Sequence, residues 1–240
     1  MNKTATTLMA MALLSTFAAA AIAQPWYVKG DYYDGGTGIW TDNPGNVMLD
    51  SLGDLRFARH VNSDQAVGKH EFKIASADWS THYPGCNSWV YISVPGDFIH
   101  FTFDQNTYAD GWSPSTNIIW NDHFAPPGTM FEVIGSAPET GSWSSGPPAT
   151  LVGGTWTLDL PIALAGSYEA KFRAVGTWDV CNVGNETNTP CGGNIAYTTA
   201  NPGETVRFEF DTATGRTRAY VLIATPNVRG SWGKVKTLYR

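Results

Sequence analysis

Two stretches of this chain carry nearly the same text. Residues 67–107 contain VGKHEFKIASADW and then GCNSWVYISVPGDFIHFTFDQNT. Residues 165–214 contain AGSYEAKFRAVGTW and then CGGNIAYTTANPGETVRFEFDTAT. Gly68 answers Gly166, Glu71 answers Glu169, Lys73 answers Lys171 and Trp79 answers Trp178. Further on, Asn87 answers Asn194, and Phe101, Phe103 and Asp104 answer Phe208, Phe210 and Asp211. The repeat length is that of a whole small domain, far longer than a solenoid unit. The expectation is therefore two copies of one module in tandem.

The pattern inside each copy is that of short strands. DFIHFTFD and ETVRFEFD alternate apolar and polar residues with period two, and SWVYISV is aromatic and β-branched. Turn clusters stand between the runs: Asn43-Pro44-Gly45, Pro95-Gly96, Asn201-Pro202-Gly203 and Thr214-Gly215. Aromatic residues make up 13% of the chain and charged residues only 15%, alongside 25 Gly and 14 Pro, which leaves long helices little material. About six strands per copy, punctuated by turns, predict an all-β fold of two β-sandwich domains.

Residues 1–23 read as a secretory signal peptide, with Lys3 at the start, an apolar run through Leu13 and Leu14, and Ala21-Ile22-Ala23 as the cleavage site. Module 1 then covers 24–122, a Pro-rich linker 123–129, and module 2 130–224. Residues 225–240 resemble the first strand of a third module and are the candidate for self-association. Export implies a secreted, extracellular or periplasmic location and an oxidising compartment. Cys181 and Cys191 flank a polar loop and are expected to form a disulfide, leaving Cys86 as a buried thiol. The formal net charge of −6 argues against nucleic acid as a partner, because phosphate binding needs clustered Lys and Arg. No stretch after the leader is long and apolar enough to span a bilayer.

Catalytic and cofactor motifs do not stand out. His60, His70, His82, His100 and His123 lack ligand spacing, and no nucleophile elbow or phosphate-cradling loop occurs. Asp31 with Asp34, or Asp104 with Asp110, would serve as an acid–base pair only if folding brought them together; nothing in the sequence singles them out, and solvated turn roles fit them better. Asp42, Asn43 and Asn46 fit Asx turns better than a calcium site. No cofactor or metal is implied, and the chain is read as non-catalytic.

What remains is aromatic. Trp40 and Trp143 sit in matched turn-rich loops after the first strand of each copy. Trp79 and Trp178 sit before a polar loop, with Tyr83 following in one copy and Asn182 in the other. Indoles stack on the apolar face of a sugar while amides such as Asn87 and Asn194 bind its hydroxyls. Core packing and turn capping are the competing roles for these same residues. Trp26, Trp89, Trp120 and Trp156 lie within strand patterns and are expected to pack.

The ordered pattern is V-x-G, a loop Trp, G-x-Y-E-x-K, Trp, G-x-N-I and P-G-x-x-V-x-F-x-[FY]-D. It resembles the starch-binding-like β-sandwich modules attached to bacterial pullulanases and amylases. The second copy carries it at Gly135, Trp143, Gly166 to Glu169, Lys171, Trp178, Gly193 to Ile195 and Val206 to Asp211. The first copy departs with His70 for the tyrosine and Ser88 for the isoleucine. The resemblance implies an immunoglobulin-like sandwich and a polysaccharide partner, an α-glucan. The catalytic barrel that accompanies such modules has no counterpart here. The alternative expectation is a surface-assembly protein that uses the sandwich as a scaffold and residues 225–240 for pairing.

Overall fold

The computed structural model describes residues 25–36, 39–186 and 191–223. The expected leader and the expected tail strand at 225–240 lie outside them. The fold is all-β, built of antiparallel sheets and consistent with a β-sandwich. Its strands are β1 (Trp26–Gly30), β2 (Arg56–Asn62), β3 (Gly68–Ser76), β4 (His82–Ile92), β5 (Phe98–Asp104), β6 (Ile118–Asn121) and β7 (Phe131–Gly135). They continue with β8 (Thr150–Val152), β9 (Thr155–Ile162), β10 (Gly166–Ala174), β11 (Asn182–Val183), β12 (Ile195–Thr199), β13 (Glu204–Asp211) and β14 (Thr217–Val221). Among the described residues, no helix is long and apolar enough to cross a membrane.

The strands form four sheets. One has the order β1-β3-β4 and another β2-β5-β6. In the C-terminal half, β10 pairs with β7, β11 and β12, and the last sheet runs β14-β13-β9-β8. Period-two alternation decides what faces inward. In β5 it buries Ile99, Phe101 and Phe103, and in β13 Val206, Phe208 and Phe210. Phe98, at the edge of that pattern, points out and is 57% exposed. Phe57 and Val61 of β2 are buried, while Leu55 precedes the strand and is exposed.

Two hydrophobic clusters result. The N-terminal one joins Val28, Phe72, Ile74 and Val90 to Phe57, Ile99, Phe101 and Ile119. The C-terminal one joins Phe131, Val133, Phe172 and Ile195 to Trp156, Val206, Phe208 and Phe210. Strand β6 serves both, because Ile119 packs in the first cluster and its neighbour Trp120 in the second. Of residues 123–129, expected to link the copies, Phe124 and Ala125 pack against the C-terminal cluster while Pro126, Pro127 and Gly128 are exposed. Phe124 lies 4.6 Å from the Trp120 ring and 5.6 Å from Phe210, and the Tyr91 amide donates to the His123 carbonyl.

The V-x-G glycines have a steric reason. A Cβ on Gly30 would lie 2.3 Å from the Glu71 carbonyl oxygen, and one on Gly135 would lie 2.2 Å from that of Glu169. Any larger residue would push the end of β1 off β3, or of β7 off β10.

The disulfide differs from the expectation. Cys191 is bonded to Cys86, not to Cys181, across a sequence separation of 105. Pairing of β11 with β10 draws Cys181 inward, where the Ala174 amide donates to its carbonyl and its side chain is fully buried in the C-terminal cluster. Cys191 stays at the surface, next to β4, which presents Cys86. The free thiol is therefore Cys181.

Candidate functional site

The four loop tryptophans assemble as two pairs. Trp40 and Trp79 have ring centroids 6.2 Å apart and planes inclined by 38°. Trp143 and Trp178 have centroids 6.4 Å apart and planes inclined by 34°. All four remain partly solvent-accessible, Trp79 most, at 37%. Trp26, Trp89, Trp120 and Trp156 are buried in strands, as expected.

Backbone geometry sets the pairs apart. Trp40, Trp79 and Trp143 lie at φ of 61°, 62° and 66°. A bulky L-residue in the left-handed region is a genuine outlier and costs of order 1–3 kcal/mol. The surrounding structure has to hold it there.

A buried cation does so in each half. Lys29, on β1, is fully buried and donates from Nζ to the carbonyls of Ser76 and Ala77 at 2.9 and 3.1 Å. It also pairs with Asp42 and lies 4.5 Å from the centre of the Trp79 ring. One ammonium thus ties the Trp79 turn to the loop that carries Trp40. In the second half, Arg173 on β10 lies 4.5 Å from the Trp178 ring and donates to the Ser144 carbonyl, next to Trp143, at 2.8 Å. Its Nε donates to Glu132 Oε1 at 2.6 Å, and both side chains are 4% exposed. The Glu132 carboxylate in turn accepts the amides of Gly146 and Gly176, at 3.0 and 3.1 Å. Buried ions survive only when paired and hydrogen-bonded, and these are bonded to the two tryptophan loops. A cation behind an indole adds attraction that grows as water is excluded.

The second pair opens onto a shallow cleft of about 510 Å³, lined by Trp143, Trp178, Lys171, Asp179, Asn182, Asn194 and Trp89. Two inclined indoles rimmed by amides and one carboxylate suit a ligand with apolar faces and many hydroxyls. Lys171 is buried, and burial holds its ammonium below the usual lysine range. Asn194 Nδ2 donates to Glu169 Oε2 at 2.9 Å, and Asn87 Nδ2 to Glu71 Oε2 at 2.6 Å. Both asparagines thus brace the scaffold, and Asn194 faces the cleft as well. Tyr83 is turned into the N-terminal core, its ring 5.8 Å from Trp26 and 5.5 Å from Phe103.

The carboxylates weighed as acid–base pairs have other partners. Arg56 Nε and Tyr108 Oη donate to Asp104, and Arg216 donates to both oxygens of Asp110 at 2.8 and 2.7 Å. Asp31 accepts the Glu71 amide. Asn43 caps the Pro44–Asn46 turn through the Gly45 amide. Among the described residues, no cluster of three or more His, Cys, Asp or Glu is arranged to hold a metal ion.

Sequence reasoning missed Lys29, Glu132 and Arg173, and it weighed Asp42 for a turn or a calcium site, not as the partner of Lys29. The available signal was a charge inside a strand otherwise destined for burial, as in WYVKG and KFRA. Compared with known protein families and with curated proteins, the chain matches none.

Proposed function

We propose that this chain is a secreted or periplasmic, non-catalytic carbohydrate-binding protein. Its architecture in this reading is two tandem immunoglobulin-like β-sandwich domains. Its ligand is an α-glucan of the starch or pullulan kind, stacked on the loop tryptophans. One observation carries the proposal: in both halves an inclined, accessible indole pair has one ring, Trp79 or Trp178, over a buried cation, and three of the four indoles lie at strained φ. Strain of this sort persists where a surface has to be presented in one shape. The tilt favours a curved chain, whose successive sugar rings change direction, over a flat ribbon. Two such pairs in one chain gain from effective concentration on a polymer that reaches both.

The test is native affinity electrophoresis in gels cast with soluble starch or pullulan. The wild-type protein is expected to be retarded. Trp178→Ala and Trp143→Ala are each expected to weaken affinity tenfold or more, about 1.4 kcal/mol. Free migration of the wild type in these gels and on a panel of other polysaccharides overturns the proposal.

A further inference from the structure

We infer that the Trp143–Trp178 cleft is a composite site: the N-terminal sheet supplies one wall, and the Cys86–Cys191 bond clasps the two halves around it. The ligand named here rests on the glycan reading above; the geometry stands on separate contacts. Trp89, on β4, lines the same cleft as Trp143 and Trp178 although it belongs to the other half. Lys69, on β3, places Nζ 4.4 Å from the centre of the Trp89 ring and donates to the Asp179 carbonyl at 3.1 Å. Tyr91, two residues beyond Trp89, brings its hydroxyl to the carbonyls of Asp179 and Val180. Burial pushes the Tyr91 phenol up, so it stays protonated as a donor. The residues just after Trp178 are therefore fastened to the N-terminal sheet and not only to their own half.

The clasp itself is anchored at both ends. Lys73 Nζ donates to the Pro84 and Gly85 carbonyls, just before Cys86. Lys171 Nζ donates to the Gly192 carbonyl, just after Cys191. Both lysines are buried, so each holds one cysteine-bearing segment against its own core. With both ends fixed, the disulfide sets the spacing between β4 and the Asn194 side of the cleft. A site preorganised this way avoids the ordering cost of bringing a mobile loop onto its ligand. A glycan that spans Trp143 and Trp178 against the wall backed by the buried Trp89 has to be an oligosaccharide, because a single sugar ring covers only one of the two accessible indoles.

The experiment compares full-length mature protein with Tyr91→Phe and Cys86→Ser. Amide hydrogen exchange across 176–182 and calorimetric titration with maltose and maltohexaose are the readouts. Wild type is expected to bind maltohexaose at least tenfold more tightly than maltose. Tyr91→Phe is expected to speed exchange at 178–181 and to weaken maltohexaose binding about fivefold; Cys86→Ser is expected to do both more strongly. If Cys86→Ser fails to fold, Tyr91→Phe decides alone, since it removes one oxygen and leaves the ring. Unchanged exchange and unchanged affinity in Tyr91→Phe, against a wild type that binds, overturn the composite site and leave the glycan reading standing. A wild type that binds neither maltohexaose nor starch overturns the glycan reading, and with it the ligand assigned to this cleft.

Discussion

Trp79 and Trp178 meet the same physical demand through different residues. Each needs a cation beneath its ring and an anchor for its loop. Lys29 does this from β1 with backbone carbonyls and Asp42, while Arg173 does it from β10 with Glu132 and Ser144. The Arg173–Glu132 pair is the more exacting of the two, because both partners are almost completely buried. Removing one charge from a buried pair leaves the other uncompensated, at a cost of about 3–5 kcal/mol. Glu132→Gln is therefore expected to lower unfolding stability by about 3 kcal/mol in urea denaturation, and to blue- or red-shift tryptophan emission as the Trp143 and Trp178 loops loosen. The comparison is Asp159→Asn. Asp159 takes two bonds of 2.6 Å from Arg207, yet the two side chains are 40% and 34% exposed. Solvent screens that pair, and its loss is expected to cost under ~1 kcal/mol. Equal losses in the two variants would contradict the bracket role of Glu132.

At the scale of the element, the turn from Ser76 to Thr81 shows how a loop holds a bulky residue at positive φ. Asp78 Oδ1 accepts from Ser76 Oγ at 2.7 Å, from the Ser80 amide at 3.0 Å and from Ser80 Oγ at 2.8 Å. The Trp79 amide donates to the Ser76 carbonyl, and the Ser76 amide to that of Thr81. Bonds from Ser76 and Ser80, which favour the charged form, lower the Asp78 pKa from 3.8 to about 2. A carboxyl depressed in the folded state stabilises it above the ordinary value, and that contribution fades as pH falls through the folded one. The Trp79 indole resonance is expected to hold its position down to about pH 4 and to titrate with a midpoint near pH 2. Asp78→Asn is expected to abolish the titration. A midpoint near 3.8 would mean the turn does not prefer the carboxylate. The sequence discloses some elements better than others. The alternating β5 and β13, the buried strand tryptophans and the four loop tryptophans follow from local pattern. The buried cations' contacts do not, because they depend on which strands lie side by side: Lys29, opposite Lys73 in the β1–β3 register, reaches along β3 to the Ser76 carbonyl, and Arg173 lies opposite Glu132 in the β7–β10 register. The disulfide was illegible for the same reason, since nearness in sequence favours Cys181 while nearness in space belongs to Cys86.

At the scale of the whole molecule, the two clusters do not lie on independent bodies. Trp120 leaves β6, in the β2-β5-β6 sheet, to pack in the C-terminal cluster, and its Nε1 donates to the Thr212 carbonyl at 2.8 Å. Gly215 lies against that indole so closely that a Cβ would come within 2.1 Å of it, at a φ of +72° that already disfavours any other residue. Arg216, 8% exposed, grips Asp110 with two bonds and also donates to the carbonyls of Trp112 and Pro114. Ser113 and Thr217 exchange backbone bonds across the same junction. The disulfide closes a loop of about a hundred residues, worth roughly 4–5 kcal/mol in the chain-entropy model. Together these contacts make separate unfolding of either half expensive, because exposing one cluster uncovers Trp120 or empties its socket. Unfolding is expected to follow a single transition in which tryptophan fluorescence and far-ultraviolet circular dichroism coincide. Gly215→Ala combines left-handed strain with overpacking and is expected to cost about 3 kcal/mol. It is also expected to split the two probes, since it displaces the Trp120 indole through which the N-terminal strand β6 packs in the C-terminal cluster. Coincident transitions in Gly215→Ala, with stability unchanged, would show that the indole of Trp120 does not couple the halves; two separate steps already present in the wild type would show that the disulfide alone joins them.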